Sequence, residues 1–413
     1  MLAAGVGAAF LASPVGAEQV PYRMDASNQA GWWKPVDEVN GSVYLAYNAW
    51  GSRSQGGAND THTVYVARRD PSGLWTRGCL KSSAGACVVF NDDIGHNQPT
   101  LAVDGDGYIH VFASMHQVPW RYYRSDRPGD VTSMVDRSAT MPDQGHPITY
   151  PNATRTVTGD IFLIVRDLRD GRLYRWDNTA NTWTRAATFA QDPAYVVYPD
   201  DVIGDAAGNV HIAWEWAYNG ANGLRHLGSY LRYQPATGQF TTAAGTKVAA
   251  PATHATKSAI YQPLEPGEAD TDVSSPTNPP GFQSAKLALD TASGYPTAAY
   301  RFRPTAGGRF EVRLAEWDGA AWKRTVVYAG RYTTYAAIDV TIRGGTPRVY
   351  YAKTAVPSGN QAFAAKRQPD GRWVESLLLA GIPVERLAVV PRGNVDHVYL
   401  STPSLRQLNL EVK

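Results

Sequence analysis

Seven times along this chain a glycine turn is followed by a short run in which apolar and polar residues alternate. The runs read NGSVYLAYNAW, GDGYIHVFAS, TGDIFLIVRD, AGNVHIAWEW, SGYPTAAYRF, GGTPRVYYAK and RGNVDHVYLS. A period of two sends successive side chains to opposite faces of a β-strand, and β-branched and aromatic residues suit that pleated surface. Most runs lead into a second hairpin with an aromatic residue on its far strand, as in YVARRDPSGLWTRG, YRWDNTANTWTRA and AKRQPDGRWVES. Each unit is therefore about four strands, repeated every fifty residues or so. No long helical periodicity interrupts the series. The pattern predicts an all-β, seven-bladed β-propeller with four antiparallel strands per blade. Closure of the ring removes sheet edges, so the C-terminal segment HVYLSTPSLRQLNLEV is expected to pair with N-terminal strands.

The first hairpins of three consecutive units end in reactive side chains. HNQPTLAVDGDGYIHVFASMHQ has two alternating strands around a Gly-Asp-Gly turn, a strong hairpin signal. His96 and His116 are equally far from that turn, which sets them opposite each other at the open end. In TYPNATRTVTGDIFLIVRD, Tyr150 and Arg166 are symmetric about Thr158-Gly159. In YPDDVIGDAAGNVHIAWEW, Tyr198 faces Glu215 or Trp216. The first two strands of a propeller blade lie nearest the axis. These sets should therefore ring one mouth of the central channel, in a concave place suited to a ligand. His110 and His211 fall inside strand patterns and are expected to be blade residues.

The 413 residues are 43% hydrophobic and 18% charged, enough for a large core without a disordered composition. A net charge of +2 leaves no basic footprint for nucleic acid. The abundant Trp and Tyr suit strands, and they also suit stacking on sugars. The N-terminus, MLAAGVGAAFLASPVGAEQ, is apolar and rich in small residues, and Val15-Gly16-Ala17 is an acceptable signal-peptidase site. It is too short to span a membrane. Residues 1–17 are read as a secretory signal and 18–413 as a single propeller domain. Cys79 and Cys87 form one close pair, which in an exported protein suggests a disulfide worth about 2–3 kcal/mol. No Cys/His spacing points to zinc. Residues 253–282 break the period and are rich in Pro, Thr, Ser and Asp. They read either as a lid or as a surface excursion in which Asp270 and Asp272 hold a structural cation such as calcium. VDGDGY lacks the later Glu of an EF-hand and reads as the hairpin turn.

The stretch HNQPTLAVDGDGYIHVFASMHQVPWRYYRS, with TYP and GDIFLIVRD after it, resembles the BNR-type seven-bladed propellers that include ulvan lyases and rhamnose–glucuronate lyases. The resemblance covers most of the chain and is sharpest from residue 90 to about 235. It implies β-elimination at a glucuronate or iduronate. His96, His116, Tyr150 and Arg166 then sit where the family keeps its catalytic residues, and Tyr198 where it contacts substrate. The chain departs from the marine ulvan lyases in its short loops and in lacking Cys/His residues suited to a structural zinc. That favours a rhamnosyl–glucuronate linkage over ulvan itself.

β-Elimination at a uronic acid requires a neutralised carboxylate, a base for the C5 proton and an acid for the O4 leaving group. No cofactor is required. Arg166 suits the first role, because a guanidinium binds carboxylate bidentately and keeps its charge. Its other reading is a structural ion pair with Asp167 or Asp170. Asn97 or Gln98 would add a neutral donor. The base is His116 or Tyr150. Histidine titrates near neutrality, whereas tyrosine, with a reference value near ~10, would need Arg166 close by. The expectation is that His116 and Tyr150 share the proton transfers, that His96 orients or binds substrate, and that Tyr198 and Glu215 contact it. The chain reads as a secreted, monomeric lyase acting on a uronic-acid polysaccharide, with no nucleic-acid or membrane partner. Two other classes stay open. A sialidase-like hydrolase would need an arginine cluster and Ser-x-Asp-x-Gly-x-Thr-Trp turns, which are missing. A non-catalytic sugar-binding propeller would repeat its ligands in most blades, whereas the reactive set here occupies three.

Overall fold

The computed structural model describes residues 17–25, 33–49, 59–93, 96–218, 225–262, 281–305, 308–330, 337–355 and 359–413. Most of the expected signal segment, and the greater part of the long insertion with Asp270 and Asp272, lie outside them. The described residues form seven antiparallel sheets of four or five strands, with no α-helix. Numbered along the chain, blade 1 opens with Val36–Val39 and blade 2 with Thr100–Val103. Blade 3 opens with Ile148–Arg155 and blade 4 with Tyr195–Gly204. Blades 5 to 7 open with Gly281–Leu289, Ile338–Arg343 and Arg386–Arg392. Each opening strand pairs with the next strand in sequence, as a chain of hairpins requires. The ring closes where Glu18–Gln19 adds the fourth strand of blade 7, with Glu18 opposite Leu410. The expected pairing of the two ends is therefore present.

Period two explains the continuous apolar run of blade 3. In Ile161–Asp167, Phe162 and Ile164 pack with Val202, Val210 and Ile212 of blade 4. Ile161, Leu163 and Val165 pack the other way, with Phe112 and Trp120 of blade 2. A strand covered on both faces needs no polar row. Aspartates staple neighbouring blades near the axis. Asp37 accepts the Val103 N–H at 3.0 Å, and Asp201 accepts the Leu287 N–H at 2.8 Å. Asp339 accepts the Val389 N–H at 2.6 Å. Each staple ties one blade's first strand to the next blade's.

His110 and His211 are blade residues, as their patterns suggest. His110 Nε2 lies 3.0 Å from Asp104 and Nδ1 lies 2.8 Å from the Tyr122 hydroxyl. His211 repeats this with Asp205 at 3.2 Å and Tyr230 at 2.6 Å. The arrangement that satisfies every group is a neutral ring, with Nε2–H donating to the carboxylate and Nδ1 accepting the phenol O–H. Burial holds both imidazoles below the ordinary histidine range. Their depressed values mean that, in acid, the unfolded chain binds protons the folded one refuses. Stability should therefore be lost as pH falls below about 6.5, the unfolded value. The melting temperature should drop between about pH 6.5 and 5. A His110→Gln/His211→Gln variant should melt lower at neutral pH but with a flatter acid limb. An unchanged acid limb would assign the effect to other groups.

Candidate active site

The reactive residues lie where the strands stop being regular. Ile109–Phe112 ends early, and Ser114 and Gln117 then take left-handed backbone conformations, with φ of 55° and 52°. They turn the chain so that His116 stands at the mouth. In blade 3 the register jumps from Thr149 opposite Arg166 to Asn152 opposite Ile164. The β-bulge between them holds Tyr150 at φ 56°. A bulge re-aims a side chain, and an aromatic residue held at positive φ stores of order 1–3 kcal/mol of strain. Blade 4 carries a register shift between Pro199 and Asp201, beside Tyr198.

Three blades bring these side chains together. The rings of His96 and His116 stack 3.7 Å apart and 16° from parallel. His96 Nε2 lies 3.0 Å from the Tyr150 hydroxyl. The Tyr150 and Tyr198 rings lie 5.4 Å apart. The Arg166 guanidinium carbon sits 4.7 Å from each of those two rings. His96, His116 and Tyr198 are half-buried, while Tyr150 and Arg166 are 4% and 5% exposed beneath them. Trp33, whose ring centroid is 5.7 Å from that of Tyr150, also lines a channel cavity of about 370 Å³.

Arg166 is the permanent cation of this cluster. Its Nε is buried without a hydrogen-bond partner, and no carboxylate among the described residues pairs with it. Neither expected structural partner is its own. Asp167 takes His146 at 2.8 Å and Arg172 at 3.4 Å. Asp170 takes Arg172 at 3.1 Å and Gln191 at 2.8 Å. A desolvated guanidinium held beside two rings, with no carboxylate partner among the described residues, can receive a planar anion.

The structure brings His96, His116, Tyr150, Arg166 and Tyr198 together. It places Asn97, Gln98 and Glu215 beneath them, all at most 1% exposed. The Asn97 side-chain oxygen accepts from Asn48 at 3.0 Å and from Gln98 at 2.9 Å, so the two amides brace each other. Glu215 is the register partner of Tyr198, and the strand turns it inward. His96 Nε2 faces the Tyr150 hydroxyl, and His116 stacks on the His96 ring. Cys79 and Cys87 form the expected disulfide, with Cα atoms 5.6 Å apart. It closes the loop that leads through Phe90–Asp93 towards His96.

Two features escaped the sequence reading. His62, in the third strand of blade 1, lies 2.8 Å from the Ser114 hydroxyl. His226 and His254 face each other at 2.8 Å, with Tyr195 stacked 3.6 Å from His254. Both join residues far apart in the chain, and local spacing carries no sign of them. Among the described residues no group of three or more His, Cys, Asp or Glu could hold a metal ion.

A model of the family described as BNR repeat-containing matches residues 42–329. Among solved structures, the polysaccharide lyase Uly1 superposes with a TM-score of 0.67 at 13% identity, over 92% of this chain and 89% of its own. A PL25 ulvan lyase bound to -[GlcA(1-4)Rha3S]- superposes with a TM-score of 0.64 at 17% identity, over 96% of this chain and 95% of its own. At such identities the shared property is the fold. No curated protein matches the sequence significantly.

Proposed function

The chain belongs to the BNR repeat-containing family, and from the site at its mouth we propose that it is a polysaccharide lyase cleaving uronic-acid chains by β-elimination. The observation that carries this is the buried Arg166, which no carboxylate among the described residues pairs with, beside a tyrosine hydroxyl that is already hydrogen-bonded to His96. A uronate carboxylate would supply the anion that none of the described residues gives Arg166. Its neutralisation acidifies the C5 proton, because the developing negative charge spreads onto the carboxyl group. Tyr150 and His96 form one proton path. The base end takes H5, the C5–H electrons form the C4=C5 bond, and the C4–O4 bond breaks towards an oxygen that receives a proton. In glucuronate H5 and O4 leave from the same face, so one compact Tyr–His pair can serve both transfers. Tyr198 and His116 present half-buried rings for sugar contact.

The substrate class that this reading favours is a rhamnosyl–glucuronate polymer. Support comes from the PL25 ulvan lyase that shares this fold and binds a glucuronate–rhamnose 3-sulfate repeat. The disulfide fits a protein exported to an oxidising compartment, and we read the chain as secreted.

Incubation of the purified protein with a panel of uronate polysaccharides tests the reaction class. A lyase releases a product whose new double bond, conjugated to the carboxylate, absorbs in the ultraviolet. Saturated reducing ends without absorbance would make the protein a hydrolase. Binding without any product would make it a sugar-binding propeller.

A further inference from the structure

The stacked imidazoles stand on two chain segments from different strands, and a third histidine from another blade ties those segments together. We infer that His62 is a positioning residue for the catalytic pair, an inference that rests on the lyase reading. His62 belongs to the strand Asn59–Arg69 and is 2% exposed. Its Nε2 lies 2.8 Å from Ser114 Oγ, two residues before His116. Its Nδ1 lies 3.4 Å from the side-chain nitrogen of Asn97, the residue after His96. Ser114 Oγ in turn donates to the Asn97 carbonyl at 3.3 Å.

These contacts allow one proton arrangement. Asn97 Oδ1 already accepts from Asn48 and Gln98, so the Asn97 group facing His62 is its N–H donor. His62 Nδ1 must accept it. Nε2 then carries the proton and donates to Ser114, whose hydroxyl is free to donate to the Asn97 carbonyl. The result is a closed ring of three hydrogen bonds through His62, Ser114 and Asn97. All three residues are at most 2% exposed, where such bonds are strong and their loss is costly. Ser114 sits at φ 55°, a conformation its own sequence does not favour, so the ring also holds the turn that leads to His116. His62 is buried, at 2% exposure, behind the turn that carries His116. Its effect on the reaction passes through the separation of His96 and His116.

The test uses the full chain and two variants. His62→Phe keeps an aromatic ring against Phe90, 5.7 Å from the present imidazole, and removes both hydrogen bonds. His62→Gln restores a donor towards Ser114. His62→Phe should lower kcat on the cleaved polymer by on the order of 10²-fold with KM little changed, the scale of a small misplacement of catalytic groups. His62→Gln should recover most of that loss. His110→Gln, which loses a blade contact elsewhere, should melt lower yet keep its kcat well below its Tm. Carbon-13 labelling of the nine histidines supplies a readout that needs no substrate. The ring signals of His96 and His116 should move in His62→Phe and return in His62→Gln. If those signals stay in place, or if kcat falls only as far as Tm does, the inference is overturned. If they move while the wild-type protein cleaves no uronate polymer, the tie stands and the lyase reading fails.

Discussion

Arg166→Lys should lose on the order of 10²–10³-fold in kcat/KM although the positive charge is kept. The guanidinium carbon lies 4.7 Å from the ring centroids of both Tyr150 and Tyr198, and a guanidinium offers paired donors in one plane. An ammonium is a point charge on a flexible stem. It can neither fill that place nor grip both oxygens of a carboxylate. Arg166→Met should be at least as inactive, yet it should melt at a higher temperature than wild type. A buried cation without a counter-ion costs stability, and an apolar side chain of similar length removes the cost. Activity and stability moving in opposite directions mark a group held for its ligand. Arg127→Lys, on an exposed outer turn where Arg127 pairs with Asp130, is the control and should be near-silent. The comparison requires turnover on the cleaved polymer together with Tm for each variant. Wild-type turnover in Arg166→Lys would remove the carboxylate role. A lower Tm in Arg166→Met would make the residue structural.

The fold was legible because each blade restates the same local rule. A glycine turn between alternating strands is readable without knowing what packs on it, and it recurs in every sheet. Even the apolar run Ile161 to Val165 reads correctly once the repeat supplies a neighbour for each face. The irregular places read less well. Counting residues from the Thr158-Gly159 turn sets Tyr150 opposite Arg166, whereas the structure sets Thr149 there. Symmetric counting assumes an unbroken ladder, and the bulge shifts it by one residue. Pro151, which has no N–H to give a ladder, was the available signal. In blade 4 the count leaves Glu215 or Trp216 opposite Tyr198, and the structure sets Glu215 there.

The candidate cluster could be located in sequence, but the contacts within it could not. Hairpin symmetry brings His96 and His116 together without saying which reaches Tyr150, because that contact crosses from blade 2 to blade 3. Asn97 and Gln98 adjoin His96, which is why they are expected to donate to substrate. Their position in the sequence does not show that the Asn97 amide also meets Asn48 and His62 of blade 1, or that the Gln98 amide donates to Asn97 Oδ1. THTVYVARR does place His62 on the buried face with Val64 and Val66. What the alternation cannot show is that the opposite wall is the turn bearing His116.

Tyr150→Phe should cost about 10²-fold or more in kcat with little change in KM, because it deletes one oxygen and leaves the ring on Arg166. The hydroxyl lies 3.0 Å from His96 Nε2, so the two groups share a proton path. His96→Ala should therefore lose a comparable factor. The double variant should be little worse than either single one, since members of one catalytic unit are strongly non-additive. His116→Ala separates stacking from proton transfer. His116 lies 3.7 Å from His96 ring to ring, while His96 Nε2 lies 3.0 Å from the phenol oxygen. If it only supports the neighbouring ring, its loss should be smaller than that of His96→Ala and should appear partly in KM. If His116 is itself the base, its loss should equal that of Tyr150→Phe, and His96→Ala should be the milder change. Folding should survive Tyr150→Phe, because the bulge and its backbone bonds do not involve the hydroxyl. The deciding data are kcat and KM for the four variants beside their melting temperatures. Full turnover in Tyr150→Phe would take the proton path away from this site altogether.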